Sequence, residues 1–102
     1  MSDEYFLLCA TNEKTKDLMT AASKLKCVTE IGARSIKFKG AVQHSWDYDV
    51  ELIVENETSF VMVIASKAKD VLKELIPVLE TYVSSTREDG IDGDEVQLSS
   101  LK

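Results

Sequence analysis

The chain reads as an α+β protein: a two-layer sandwich with two helices on one face of a mainly antiparallel sheet, ferredoxin-like or a related split βαβ arrangement. Three observations predict this. Two stretches, one early and one late, repeat apolar residues at helical spacing. Between them lie segments that alternate at strand spacing, two of them joined by the tight turn Asn56-Glu57-Thr58. The order is strand, helix, three strands, helix and a weak final strand, in which strands follow one another instead of alternating with helices.

Each element has its own warrant. Tyr5-Phe6-Leu7-Leu8-Cys9-Ala10 is a continuous apolar run, the pattern of a strand buried on both faces. Thr11-Asn12 offers a helix N-cap with Glu13 in the first turn, and Leu18, Ala21, Ala22 and Leu25 form an apolar stripe that ends near Lys26. Ser35-Ile36-Lys37-Phe38-Lys39 alternates, with Ile36 and Phe38 inward and the lysines outward. The segment 48–55 alternates too, placing Val50, Leu52 and Val54 on one face and Asp49, Glu51, Ile53 and Glu55 on the other. Phe60 to Ala65 follows as the second strand of an antiparallel hairpin. Ser66 is the expected cap of a second helix whose stripe runs through Ala68, Val71, Leu72, Leu75, Leu79, Tyr82 and Val83. Pro77 lies off that stripe, so a kink is expected there and not a break. Val96 and Leu98 alternate with Gln97 and Ser99 and suggest a last edge strand.

A length of 102 residues fits one domain: 1–85 as the α+β unit, with 86–102 as an acidic loop and possible C-terminal edge strand. With 44% apolar residues a full core can form without covalent staples. No apolar run reaches the ~18 residues of a membrane span. Met1-Ser2-Asp3-Glu4 lacks the layout of a secretory signal. Cys9 and Cys27 show no pair-spaced motif and read as reduced thiols of a cytoplasmic protein.

Charge is unevenly placed along the chain. Between Lys14 and Lys39 seven basic residues (Lys14, Lys16, Lys24, Lys26, Arg34, Lys37, Lys39) face two acids, whereas from Gly40 onward thirteen acids face five bases and the net charge is −6. Such polarity is a statement about partners. The densest chemistry is Gln43-His44-Ser45-Trp46-Asp47-Tyr48-Asp49. His44 and Ser45 are neighbours and point apart on an extended segment, so no local dyad forms and no catalytic residue is assigned. Aromatics flanked by carboxylates suit an interaction hot spot instead: His44, Trp46, Tyr48, Asp49, Glu51 and Glu55 are the expected partner-binding residues. Residues 89–95 carry acids at the wrong spacing for a calcium loop. One histidine and two distant cysteines make no closed metal set, and the scattered glycines make no phosphate loop. Neither a metal nor a cofactor is expected.

These readings converge on a small acidic, non-enzymatic interaction module that binds and modulates a macromolecular partner. An inhibitor, immunity or regulatory protein directed at a basic, nucleic-acid-handling protein is its most concrete form. The alternative is a homodimeric sheet protein that binds a small anionic ligand or nucleic acid through Arg34, Lys37 and Lys39. Ile53, Val61, Val63 and alternate residues of the first strand lie on a sheet face the helices do not cover; a homodimer is its simplest expected cover, and a bound partner or the C-terminal tail is the next.

Overall fold

The computed structural model describes residues 3–41, 47–88 and 93–101. They form six strands and two helices in the order β1 (Asp3–Cys9), α1 (Asn12–Ser23), β2 (Val28–Ile31), β3 (Ser35–Phe38), β4 (Val50–Val54), β5 (Ser59–Ile64), α2 (Lys69–Tyr82) and β6 (Val83–Glu88). A 3-10 turn, Leu98–Leu101, follows. The strands make one sheet of order β2-β3-β4-β5-β1-β6, and every pairing is antiparallel. The expected α+β sandwich is therefore the architecture of the chain.

Connectivity follows from the two crossovers. α2 carries the chain from β5 over β1 to β6, and α1 carries it from β1 to the far edge, from which β2–β3–β4–β5 returns as a meander. The strands β6-β1-β5-β4 with the two helices have the split βαβ connectivity, and the hairpin β2–β3 widens the sheet by two strands at one edge.

The layer between helices and sheet is the core. Tyr5, Leu7 and Cys9 of β1, Ile36 and Phe38 of β3, Val50 and Leu52 of β4, and Phe60, Met62 and Ile64 of β5 are buried on the helix side. Leu18 and Ala22 of α1 and Val71, Leu72, Leu75, Ile76 and Leu79 of α2 meet them. β1 is central but is not buried on both faces: Phe6 is half-buried and Leu8 is 38% exposed. Its unbroken apolar run reflects a second face that is apolar and open.

Local chemistry explains most of the element ends. Thr11 caps α1 as expected, its hydroxyl accepting from the Lys14 N–H at 3.1 Å, with Glu13 in the first turn. The β4–β5 hairpin closes through an Asn56 side chain that accepts from the Thr58 N–H at 3.0 Å. Ser66 does not cap α2. Its N–H and that of Ala65 both donate to the Asp49 carbonyl, and the helix starts later, from Ala68, without a side-chain cap. Pro77 is exposed and α2 runs through it unbroken.

Two strands differ from expectation. β2 is a four-residue edge strand with a bulge between Val28 and Glu30, so neither length nor alternation marks it in the sequence. The chain turns from α2 into β6 at Val83, where the apolar stripe suggests continued helix. β6 is polar (Val-Ser-Ser-Thr-Arg-Glu) because its one fully buried position is Thr86. The final strand reduces to a bridge between Arg87 and Glu95, with Val96 donating to the Thr86 carbonyl at 2.9 Å. Beyond it Leu98 is buried and Leu101 packs on the core, so this tail belongs to the helix layer.

Candidate interaction surface

The sheet register builds the open face row by row, since residues paired across antiparallel strands project to the same side. One row runs Arg87, Phe6, Val61, Ile53, Ser35. The next runs Glu4, Val63, Glu51, Lys37, Glu30. A third pairs Ser85, Leu8 and Ser59. The centre is a patch of Phe6, Leu8, Ile53, Val61 and Val63, all part-exposed or exposed. Around it stand Glu4, Glu51 and Glu30, with Arg87 on the β6 side and Lys37 on the β3 side. Neither helix covers this face, and the C-terminal tail lies on the other one.

The cations of this rim are engaged. The Lys37 ammonium lies 3.8 Å from the Glu30 carboxylate, with Glu51 opposite it in the ladder, and sits 5.6 Å from the centroid of the Tyr48 ring. Arg87 donates to the Gly93 carbonyl at 3.2 Å. The carboxylates Glu4 and Glu51 flank Val63 on either side. The rim is thus net acidic.

The expected partner-binding residues divide three ways. Tyr48 and Glu51 are part-exposed and stand beside Lys37; Glu55 is exposed just beyond the end of β4. His44 and Trp46 lie outside the described residues. Asp49 is corrected: despite its outward place in the alternation it is 1% exposed, and its carboxylate accepts from the Gly40 N–H at 2.7 Å. It precedes the first residue of β4, and its backbone N–H donates to the Phe38 carbonyl at 2.8 Å, so it seals the end of β3 and is not offered to a partner. Asp70 does the same from α2, accepting from the Ala41 N–H at 2.8 Å. Its carboxylate stands where a β-carbon on Gly40 would be, which is why that position suits glycine.

The alternative basic set does not assemble. Arg34 sits in the β2–β3 turn, where its guanidinium donates to the carbonyls of Val54 and Glu55 at 3.1 and 3.0 Å. Lys37 is on the open face, and Lys39 lines a groove at the opposite end of β3 from Arg34. The basic run in the sequence therefore distributes over three sites. The alternate residues of the first strand expected on this face are Glu4, Phe6 and Leu8, which the register with β5 identifies.

Among the described residues, two grooves flank the sheet. One, of about 750 Å³, lies between α1 and the β4–β5 turn and includes Lys16, Arg34, Glu55 and Glu57. The other, of about 620 Å³, lies between the end of β3, the residues after α1 and the first turns of α2. Cys27 is in its wall, and its thiol is pushed up to about 11, first by burial and then by the negative charge of the nearby Glu74 carboxylate. Burial also pushes the Cys9 thiol up. Because the folded value for Cys27 exceeds the ordinary 9.0, its contribution to stability is full below pH 9.0 and lost as pH rises toward about 11. Urea titrations over that window should show a decline in stability that is smaller in Cys27→Ala, and Cys27 should resist alkylation at neutral pH until the chain unfolds. An equal decline in the variant would exclude this origin.

Among the described residues no helix is long and apolar enough to cross a membrane, and no three His, Cys, Asp or Glu side chains gather in a way that could hold a metal ion. Comparison of the chain with protein-family models, curated proteins and solved structures finds no match, so the functional reading rests on the residues themselves.

Proposed function

We propose that this chain is a small non-enzymatic interaction module whose open sheet face docks a basic macromolecular partner and modulates it, as an inhibitor, immunity or regulatory protein does. The observation that carries this reading is the patch of Phe6, Leu8, Ile53, Val61 and Val63 inside a rim of Glu4, Glu30 and Glu51. An apolar centre within a polar rim is the anatomy of a protein interface, with the centre supplying affinity and the rim supplying register. A net charge of −6 adds long-range attraction for a basic partner and makes association fast and salt-sensitive. A basic nucleic-acid-handling protein has the required charge.

The homodimer is the competing cover for the same face. It would press two acidic rims together, each on a chain of charge −6, which opposes stable pairing at low salt. Sedimentation equilibrium decides between the two covers: a monomer leaves the face to the partner, and a stable dimer that Val61→Asp splits gives it to a second copy.

Affinity capture from nuclease-treated native lysate should retain a basic protein on the wild-type chain. Glu51→Lys with Glu55→Lys should weaken retention by about tenfold or more and flatten its salt dependence, with the melting temperature little changed. Val61→Asp should abolish it. Retention that is unchanged in both variants would overturn the reading.

A further inference from the structure

The groove of about 620 Å³ behind Gly40 and Ala41 has no part in the open face, and its side chains point to a ligand of their own. Lys26 follows α1, Lys39 follows β3 and Lys73 belongs to α2, so three separate elements contribute lysines to the lining of one groove. Two carboxylates, Asp70 and Glu74, share it. Among the described residues neither is seen in an ion pair with a lysine of the groove. Asp70 is turned to the protein instead, accepting from the Ala41 N–H at 2.8 Å. Lys26 and Lys73 are exposed, and no hydrogen bond or ion pair holds either ammonium.

The geometry points to a binding site for a phosphate-bearing small molecule in this groove. A planar carboxylate is best held by the fork of an arginine, and the groove has none. Lysine ammoniums are compact point charges, and three of them carried on separate elements suit an anion whose oxygens radiate in several directions, as those of phosphate do. The volume lies in the range of small-ligand sites, about 300–1,000 Å³. The groove sits on the opposite side of the sheet's end from the acidic rim, so an anion approaching it does not have to cross Glu4 or Glu51. This proposal is independent of the docking reading: it uses none of the same residues.

The test is an amide-resolved NMR titration of the full chain with sodium pyrophosphate at low ionic strength, repeated with ATP. Saturable shifts centred on Lys39, Gly40, Ala41 and Lys73 are expected. Lys26→Gln with Lys73→Gln should weaken them by about tenfold for each lysine removed, about 1.4 kcal/mol apiece. Lys14→Gln with Lys16→Gln, at the other end of α1, should leave them unchanged. Equal affinity for both probes supports a site that reads the phosphate groups alone, and tighter ATP binding supports a nucleotide site. The proposal is overturned by linear, non-saturating shifts, by equal weakening in the two double variants, or by unaltered affinity when Lys26 and Lys73 are replaced.

Discussion

Replacing Asp49 by alanine should destabilise the fold by about 2–3 kcal/mol, the cost of removing a buried charge-assisted hydrogen bond and leaving a backbone donor without its acceptor. Asp49 is 1% exposed, and its carboxylate holds the Gly40 N–H. Its backbone joins three further points: the Phe38 carbonyl and the N–H groups of Ala65 and Ser66. One residue thus ties together the ends of β3 and β5 and the approach to α2. The backbone bonds survive truncation, so the loss belongs to the side chain alone. Urea unfolding should show a lower midpoint with an unchanged slope, and Asp49→Asn should recover part of the loss because its amide oxygen can take the same N–H. The experiment also separates two roles for this carboxylate: a partner contact would leave the midpoint where it is, and a structural tie would not.

Replacing Pro77 by alanine should act in the opposite direction, raising stability by about 1–3 kcal/mol. Pro77 lies inside α2, which continues through it to Tyr82, so the helix forgoes one backbone hydrogen bond at that turn. The ring is exposed, so truncation removes little packing. The buried stripe of Val71, Leu72, Leu75, Ile76 and Leu79 is what holds the helix together across the proline. Thermal unfolding monitored at 222 nm in circular dichroism should show a higher midpoint, and a lower one would mean that the ring itself packs or that the local bend is needed.

The elements read from the sequence are those in which one face is buried. β3, β4, β5 and the stripe of α2 all alternate between core and solvent, so hydrophobic period reports their geometry directly. β2 and β6 are edge strands whose positions are largely polar, and there the sheet ladder holds the chain without the help of apolar side chains; no periodicity was available to read. The site divides along the same line. Glu51 followed its parity to the open face, but Asp49, two residues earlier, lies before β4 begins, where the pleat no longer decides direction and a backbone donor does. Arg34, Lys37 and Lys39 are close in sequence, yet a turn and two strand positions send them to three places. Their charge was legible, and their neighbours in space were not. Neither Lys26 nor Lys73 could be paired by spacing, since 47 positions and four strands separate them and only the α1–β3–α2 arrangement brings them together.

The place of β1 has a consequence for how the chain reaches its native state. β1 is made before the other five strands and lies in the interior of the sheet, and both of its partners, β5 and β6, belong to the later half of these 102 residues. Its hydrogen bonds can form only after a long loop has closed, whereas β2 through β5 pair with sequence neighbours as soon as they are made. Synthesis therefore exposes Tyr5-Phe6-Leu7-Leu8 as an unpaired apolar strand until residue 64 has emerged. An unpaired apolar strand is an aggregation hazard over that interval, and the acids at Asp3 and Glu4 stand directly beside the run, where gatekeeper charges act.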